Sequence, residues 1–208
     1  MSNTFSDDTQ LWQQLKLGNK NALESIFRNE AEALAKYGKK FTADKELIAD
    51  SLQDLFIELW RTRETIGQTD HIRKYLYVSF RRRLIKDLNK SLKTQTLDPE
   101  TDLKNDISFS VENSWIENEE TELRSKELSA AISKLSSRQQ EILYLKFHSE
   151  MDYDQIIEIM GLNYQSARNL VTRALEALRK SMISIFILIF LFIKYSRRMS
   201  TKFHFIAS

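Results

Sequence analysis

A chain of 208 residues has room for two small domains, and it holds four glycines, one proline and no cysteine. So few turn residues argue against a strand-rich fold, and without cysteine neither a disulfide framework nor a thiolate metal site can form. The net charge of +2 implies no polyanionic partner by itself, but its distribution along the chain is uneven.

The opening MSNTFSDDTQLW carries acids where a signal peptide needs a basic start and an apolar run, so the expected location is the cytoplasm. Leu11, Leu15 and Leu17 fall on a first helix that Gly18 can stop. Asn19 can cap a second helix bearing Ala22, Leu23, Ile26 and Phe27. Asp44 caps a third, where Leu47, Ile48, Leu52, Leu55, Phe56, Leu59 and Trp60 recur at steps of three and four. Its polar face carries Asp50, Gln53, Asp54 and Glu58. After the loop from Arg61 to His71, a fourth helix spaces Ile72, Leu76, Phe80, Leu84 and Leu88 four apart. Between Ile72 and Lys93 the bases Arg73, Lys74, Arg81, Arg82, Arg83, Lys86, Lys90 and Lys93 face one acid, Asp87. Residues 91–116 lose this periodicity, turn acidic and hold Pro99, which predicts a linker, with room for a short helix around Trp115 and Ile116.

A second helical domain is expected over 117–181, with Leu128, Ile132 and Leu135 on one helix and Ile142, Leu143 and Phe147 on the next. Its sharpest feature runs from Tyr153 to Lys180. Ile156, Ile157 and Met160 give one helix an apolar side, Gly161 makes a sharp turn, and Asn163 caps a second helix. Ala167, Leu170, Val171, Ala174 and Leu178 would face inward, leaving Gln165, Ser166, Arg168, Asn169 and Arg173 outward. That arrangement suits a recognition helix in a DNA major groove better than the alternative, a plain helical hairpin with a solvated face.

The order of these pieces resembles the extracytoplasmic-function branch of the sigma-70 family, which keeps only regions two and four. IADSLQDLFIELW is similar to the region-two helix, IRKYLYVSFRRRLIKDL to the promoter-melting helix, and LSSRQQEILYLKFHSEMDYDQIIEIMGLNYQSARNLVTRALEALRK to region four. The resemblance covers roughly 9–90 and 123–181. It implies an all-α protein: a region-two bundle over 9–90, a linker over 91–116, a region-four helix-turn-helix over 117–181 and a tail over 182–208. It implies that Asp50, Gln53 and Asp54 meet the clamp helices of core RNA polymerase, although on spacing alone they are the wet side of a helix. Arg73, Lys74, Tyr75, Tyr77, Arg81, Arg82 and Lys86 would meet the promoter −10 element, cations taking phosphates and aromatic faces taking unstacked bases. The Arg61 to His71 loop would help hold a flipped base. Gln165, Ser166, Arg168, Asn169 and Arg173 would read or clamp the −35 element. Two residues depart from the pattern in the melting helix: Arg82 stands where the family often has Asn, and Tyr75 where it has Trp. Leu135-Ser136 replaces the usual Leu-Pro at the start of region four.

Three scattered histidines and no Gly-rich phosphate loop leave little for a catalytic site, so neither chemistry nor a cofactor is expected. The rival function is a conventional helix-turn-helix regulator, which would need a ligand pocket or a dimerisation helix in its other domain. The apolar run Met182 to Ile193 is flanked by Lys180, Lys194, Arg197 and Arg198. As a helix it would span about 18 Å against a hydrocarbon core of roughly 30 Å, too short to cross. Packing on region four or docking a partner is expected over contact with a membrane. The resemblance further implies promoter DNA as a partner and control by an anti-sigma factor.

Overall fold

Capping residues set where the helices begin. In the computed structural model, which describes residues 4–95 and 128–181, Asn19 accepts from the Asn21 backbone and opens α2 (Lys20–Gly38). Asp44 accepts from the amides of Glu46 and Leu47 and opens α3 (Lys45–Thr62). Helix α1 (Thr4–Lys16) ends before Gly18, which takes a φ of +82°. Leu17 lies beyond that end and is exposed, because a step of two from Leu15 does not return to the same helix face. The Asp8 carboxylate of α1 accepts from the amide of Ile72, satisfying the first turn of α4 (Ile72–Gln95).

These four helices form the N-terminal bundle. Trp12 and Leu15 of α1, Ile26, Leu34 and Tyr37 of α2, Leu55 and Leu59 of α3, and Leu76, Phe80 and Leu84 of α4 are buried together. Helix α2 approaches closely at Gly38, where a Cβ would stand 3.1 Å from the Phe80 ring and 3.2 Å from Ile48. The loop between α3 and α4 is pinned from α1: the Trp12 indole donates to the Gly67 carbonyl at 2.9 Å and Lys16 to Ile66 at 2.7 Å.

The C-terminal unit begins with α5 (128–132). Ser136 and Gln139 form a reciprocal capping box for α6 (Ser137–Leu143), so the departure from Leu-Pro keeps a sound helix start. This helix widens into a π turn, Tyr144–His148, which Ser149 closes onto the Tyr144 carbonyl. Helix α7 (Tyr153–Met160) follows a second capping box, between Asp152 and Gln155. Gly161 then takes the left-handed conformation, φ 63° and ψ 44°, and Asn163 caps α8 (164–181) by accepting from the Ser166 amide. Ala167, Val171 and Ala174 of α8 are buried, whereas Phe147, expected inside, is 57% exposed. Every regular element among the described residues is helical, and none of those helices is long and apolar enough to cross a membrane. The expected linker and tail, 91–116 and 182–208, lie largely outside the described residues.

The two units meet. Helix α7 packs along α4, and one apolar cluster runs through both units, from Trp12 to Val171.

A Cβ at Gly161 would touch nothing within 4 Å, so only the backbone resists a side chain there. Gly161→Ala is expected to cost about 1 kcal/mol in urea unfolding, the strain of a left-handed alanine.

Candidate nucleic-acid and polymerase interfaces

Helix α4 has three working faces. The first, Ile72, Leu76, Phe80 and Leu84, is the core stripe. The second is Lys74, Tyr77 and Arg81, three and four residues apart, and it faces the C-terminal unit. There Arg81 donates to Glu141 of α6 from Nε at 2.6 Å and from Nη2 at 3.1 Å. Tyr37 of α2 donates to the same carboxylate at 2.6 Å. Lys74 pairs with Glu158 of α7 at 3.0 Å, and the Tyr77 hydroxyl lies 3.5 Å from that of Ser149. The rings of Tyr37, Tyr77 and Tyr144 gather around this point, Tyr37 stacked on Tyr144 at 5.8 Å and tilted on Tyr77 at 5.0 Å.

Glu141 has a side chain 3% exposed, so its charge is held in a dry site by two donors rather than by water. Burial and the neighbouring carboxylate push the Tyr37 phenol well above its ordinary value, which keeps it a donor. Burial opposes the charge on Arg81, and the bidentate contact with Glu141 more than offsets it, raising the guanidinium above its usual range. Burial likewise raises Tyr77.

The third face of α4 turns to α3 and to solvent. Tyr75, Arg82, Arg83, Lys86 and Asp87 line a hollow of about 260 Å³ with Glu58 at its rim. Arg83 reaches across to Asp54 at 2.9 Å, and Asp87 accepts from Ser51. Thus the seven residues expected at the −10 element do not share one surface. Tyr75, Arg82 and Lys86 line the open hollow, Lys74, Tyr77 and Arg81 lie under the C-terminal unit, and Arg73 pairs with the nearly buried Glu30 of α2.

Asp50, Gln53 and Asp54 are exposed on α3, as their spacing predicts. Beside them lies an apolar groove of about 600 Å³ between α2 and α3, lined by Leu23, Phe27, Leu52, Gln53, Ile57 and Trp60 among others. Phe27 is 50% exposed and Ile57 54%. Sequence reasoning missed this groove, although Ile57 gave a sign of it: an apolar residue on α3 outside the stripe that fills the core.

On α8, Gln165, Ser166, Arg168, Asn169 and Arg173 all face solvent. Gln165 donates to Asn169 at 3.0 Å, and Arg168 lies over the Tyr164 ring, 5.8 Å from its centre. These contacts hold polar heads on one surface, with Ala167 and Val171 packed behind.

Residues 125–178 match the family model "Sigma-70, region 4". The chain is similar in fold to CnrH, solved in complex with the cytosolic domain of CnrY, at 16% identity and a TM-score of 0.58. That likeness covers 85% of this chain and 97% of CnrH. It is also similar to the sigma factor RpoE solved with the anti-sigma factor NepR from Bartonella quintana, at 17% identity and a TM-score of 0.54, covering 78% of this chain and 95% of that one. No curated protein matches the sequence.

Tyr37→Phe removes one donor from the buried carboxylate and is expected to cost about 1.5 kcal/mol in urea unfolding. Lys74→Ala, whose partner Glu158 is half exposed, should cost under about 0.5 kcal/mol in the same assay.

The segment 125–178 thus matches region four of the sigma-70 family and carries its helix-turn-helix with the polar face exposed, and most of the chain is similar in fold to CnrH and RpoE.

Proposed function

We propose that the chain is a sigma factor of the extracytoplasmic-function type, which binds core RNA polymerase through its N-terminal bundle and brings it to promoters. The observation that carries this reading is the uncovered polar face of α8 within the matched region four. Gln165, Arg168 and Asn169 offer the bidentate donors and acceptors that base edges in a major groove accept, and Ser166 and Arg173 suit phosphates. These five residues are assigned to the −35 element.

For the polymerase, the groove between α2 and α3 supplies an apolar seat and Asp50, Gln53 and Asp54 a polar rim, the anatomy of a helix-binding surface. For the −10 element, Tyr75, Arg82 and Lys86 line a hollow that offers an aromatic wall and cations to an unstacked strand. Arg73, Lys74, Tyr77 and Arg81 complete the basic helix. With Arg82 where the family often has Asn, the contact there goes to phosphate rather than to a base. The protein contributes recognition and polymerase contributes chemistry, in the cytoplasm. One protein of similar fold, RpoE, was solved with the anti-sigma factor NepR, which supports control of this chain by an anti-sigma factor. The conventional-regulator alternative is less well supported, because the first bundle offers a basic helix and a docking groove in place of a ligand pocket.

Two variants separate the surfaces. Ile57→Asp should weaken binding to purified core polymerase at least about tenfold in fluorescence anisotropy, since it puts a charge into the apolar seat. Arg168→Ala with Asn169→Ala should leave that binding unchanged and abolish selection among promoter duplexes. A wild-type chain that binds duplex DNA but not core polymerase would overturn the proposal and leave the conventional regulator.

A further inference from the structure

Three residues of α1 stand four apart, and each holds the segment that leads from α3 into α4. Asp8 accepts from the amide of Ile72, the Trp12 indole donates to the Gly67 carbonyl at 2.9 Å, and Lys16 donates to the Ile66 carbonyl at 2.7 Å. Residues at that spacing share one helix face. We infer that this stripe positions the Arg61 to His71 loop against Tyr75, and so determines which base of the −10 strand the loop accepts. The inference rests on the −10 role proposed for α4 and assigns its selectivity to residues outside that helix.

The two halves of the loop are held differently. The Thr62 carbonyl accepts from the amides of Thr65 and Ile66, so the first half is a local turn at the end of α3. Further on, Gly67 takes no left-handed angle, and a Cβ there would meet nothing within 4 Å. That glycine adds freedom rather than fixing a turn, and the contacts from α1 supply the constraint. They take backbone carbonyls, which leaves the side chains of Thr65 and Gln68 exposed on either side of the pinned pair. Trp12 also connects the loop to the hollow: its ring meets Tyr75 edge-on, centroids 4.9 Å apart, while its nitrogen holds Gly67. Tyr75 in turn lines the hollow with Arg82 and Lys86. One fully buried side chain thus sets the distance between the aromatic wall and the loop. Readout by hydrogen bonds tolerates little error, since a shift of about 0.6 Å takes an ordinary bond past its limit.

Competition binding of fluorescent non-template −10 oligonucleotides to holoenzyme, assembled from the full chain and core polymerase, tests this role. Each position carries the four bases in turn, and the readout is the ratio of affinities between the preferred base and the others. Because the strands carry equal charge, the loss of a protein cation cancels from that ratio. Wild type should prefer one base at one position by at least about tenfold. Lys16→Met keeps the aliphatic stem at a partly exposed position, and Trp12→Phe keeps a ring against Tyr75, while each removes one donor to the loop. Each should lower the ratio at that position about fivefold and leave binding of a −35 duplex unchanged. Lys16→Arg, which retains a donor, should keep the wild-type ratio. Unchanged ratios in both Lys16→Met and Trp12→Phe would overturn the inference and leave the −10 reading. A ratio that falls together with −35 binding would also overturn it, as a general loss of structure. Wild-type holoenzyme that holds these strands without preference, or not at all, would overturn the −10 reading and the inference with it.

Discussion

The carboxylate of Glu141 receives three hydrogen bonds from two helices of the other unit, one from Tyr37 and two from Arg81. A buried ion is expensive, several kcal/mol even after relaxation, and is tolerated only where its lone pairs are filled with good geometry. Here they are filled from α2 and α4 at once, so the pairing specifies how the two units sit together. The tyrosine rings around it add contact area, and Lys40 lies near the Tyr144 ring from the α2 side. An apolar interface of the same size could slide, whereas a buried charge with fixed donors has one register.

The three faces of α4 follow from its sequence: a core stripe every four residues, Lys74, Tyr77 and Arg81 to one side, and Tyr75, Arg82 and Lys86 to the other. A helix bearing cations on two sides of an apolar stripe shows little amphipathicity as a whole, yet each side has a distinct environment. Charge density made the helix conspicuous. Its division into a covered and an open half depends on what packs against it.

Local chemistry was therefore readable and long-range chemistry was not. The caps Asn19, Asp44 and Asn163, the stop at Gly18, the turn at Gly161 and the inward set Ala167, Val171 and Ala174 are all set by residues within a turn or two of each other. Glu141 resembles any acid on a short amphipathic helix, because its partner Arg81 is 60 residues away and no periodicity links them. The exposed polar set Gln165, Ser166, Arg168, Asn169 and Arg173 was legible from the faces of α8, since helical spacing alone decides which side is polar. The groove between α2 and α3 was half legible: the acids and Gln53 stood out, while Phe27 was grouped by spacing with neighbours that are buried. Phe147 failed for a similar reason, since the π turn shifts its direction from the one an α-helix would give.

The most direct measurement of the central claim, that this chain confers promoter recognition on polymerase, is run-off transcription with purified core enzyme on genomic promoter fragments. The account predicts transcripts that appear only when the protein is added and vanish when Arg168 and Asn169 are both alanine. Transcription unaffected by the protein, with core enzyme that never retains it, would contradict the account.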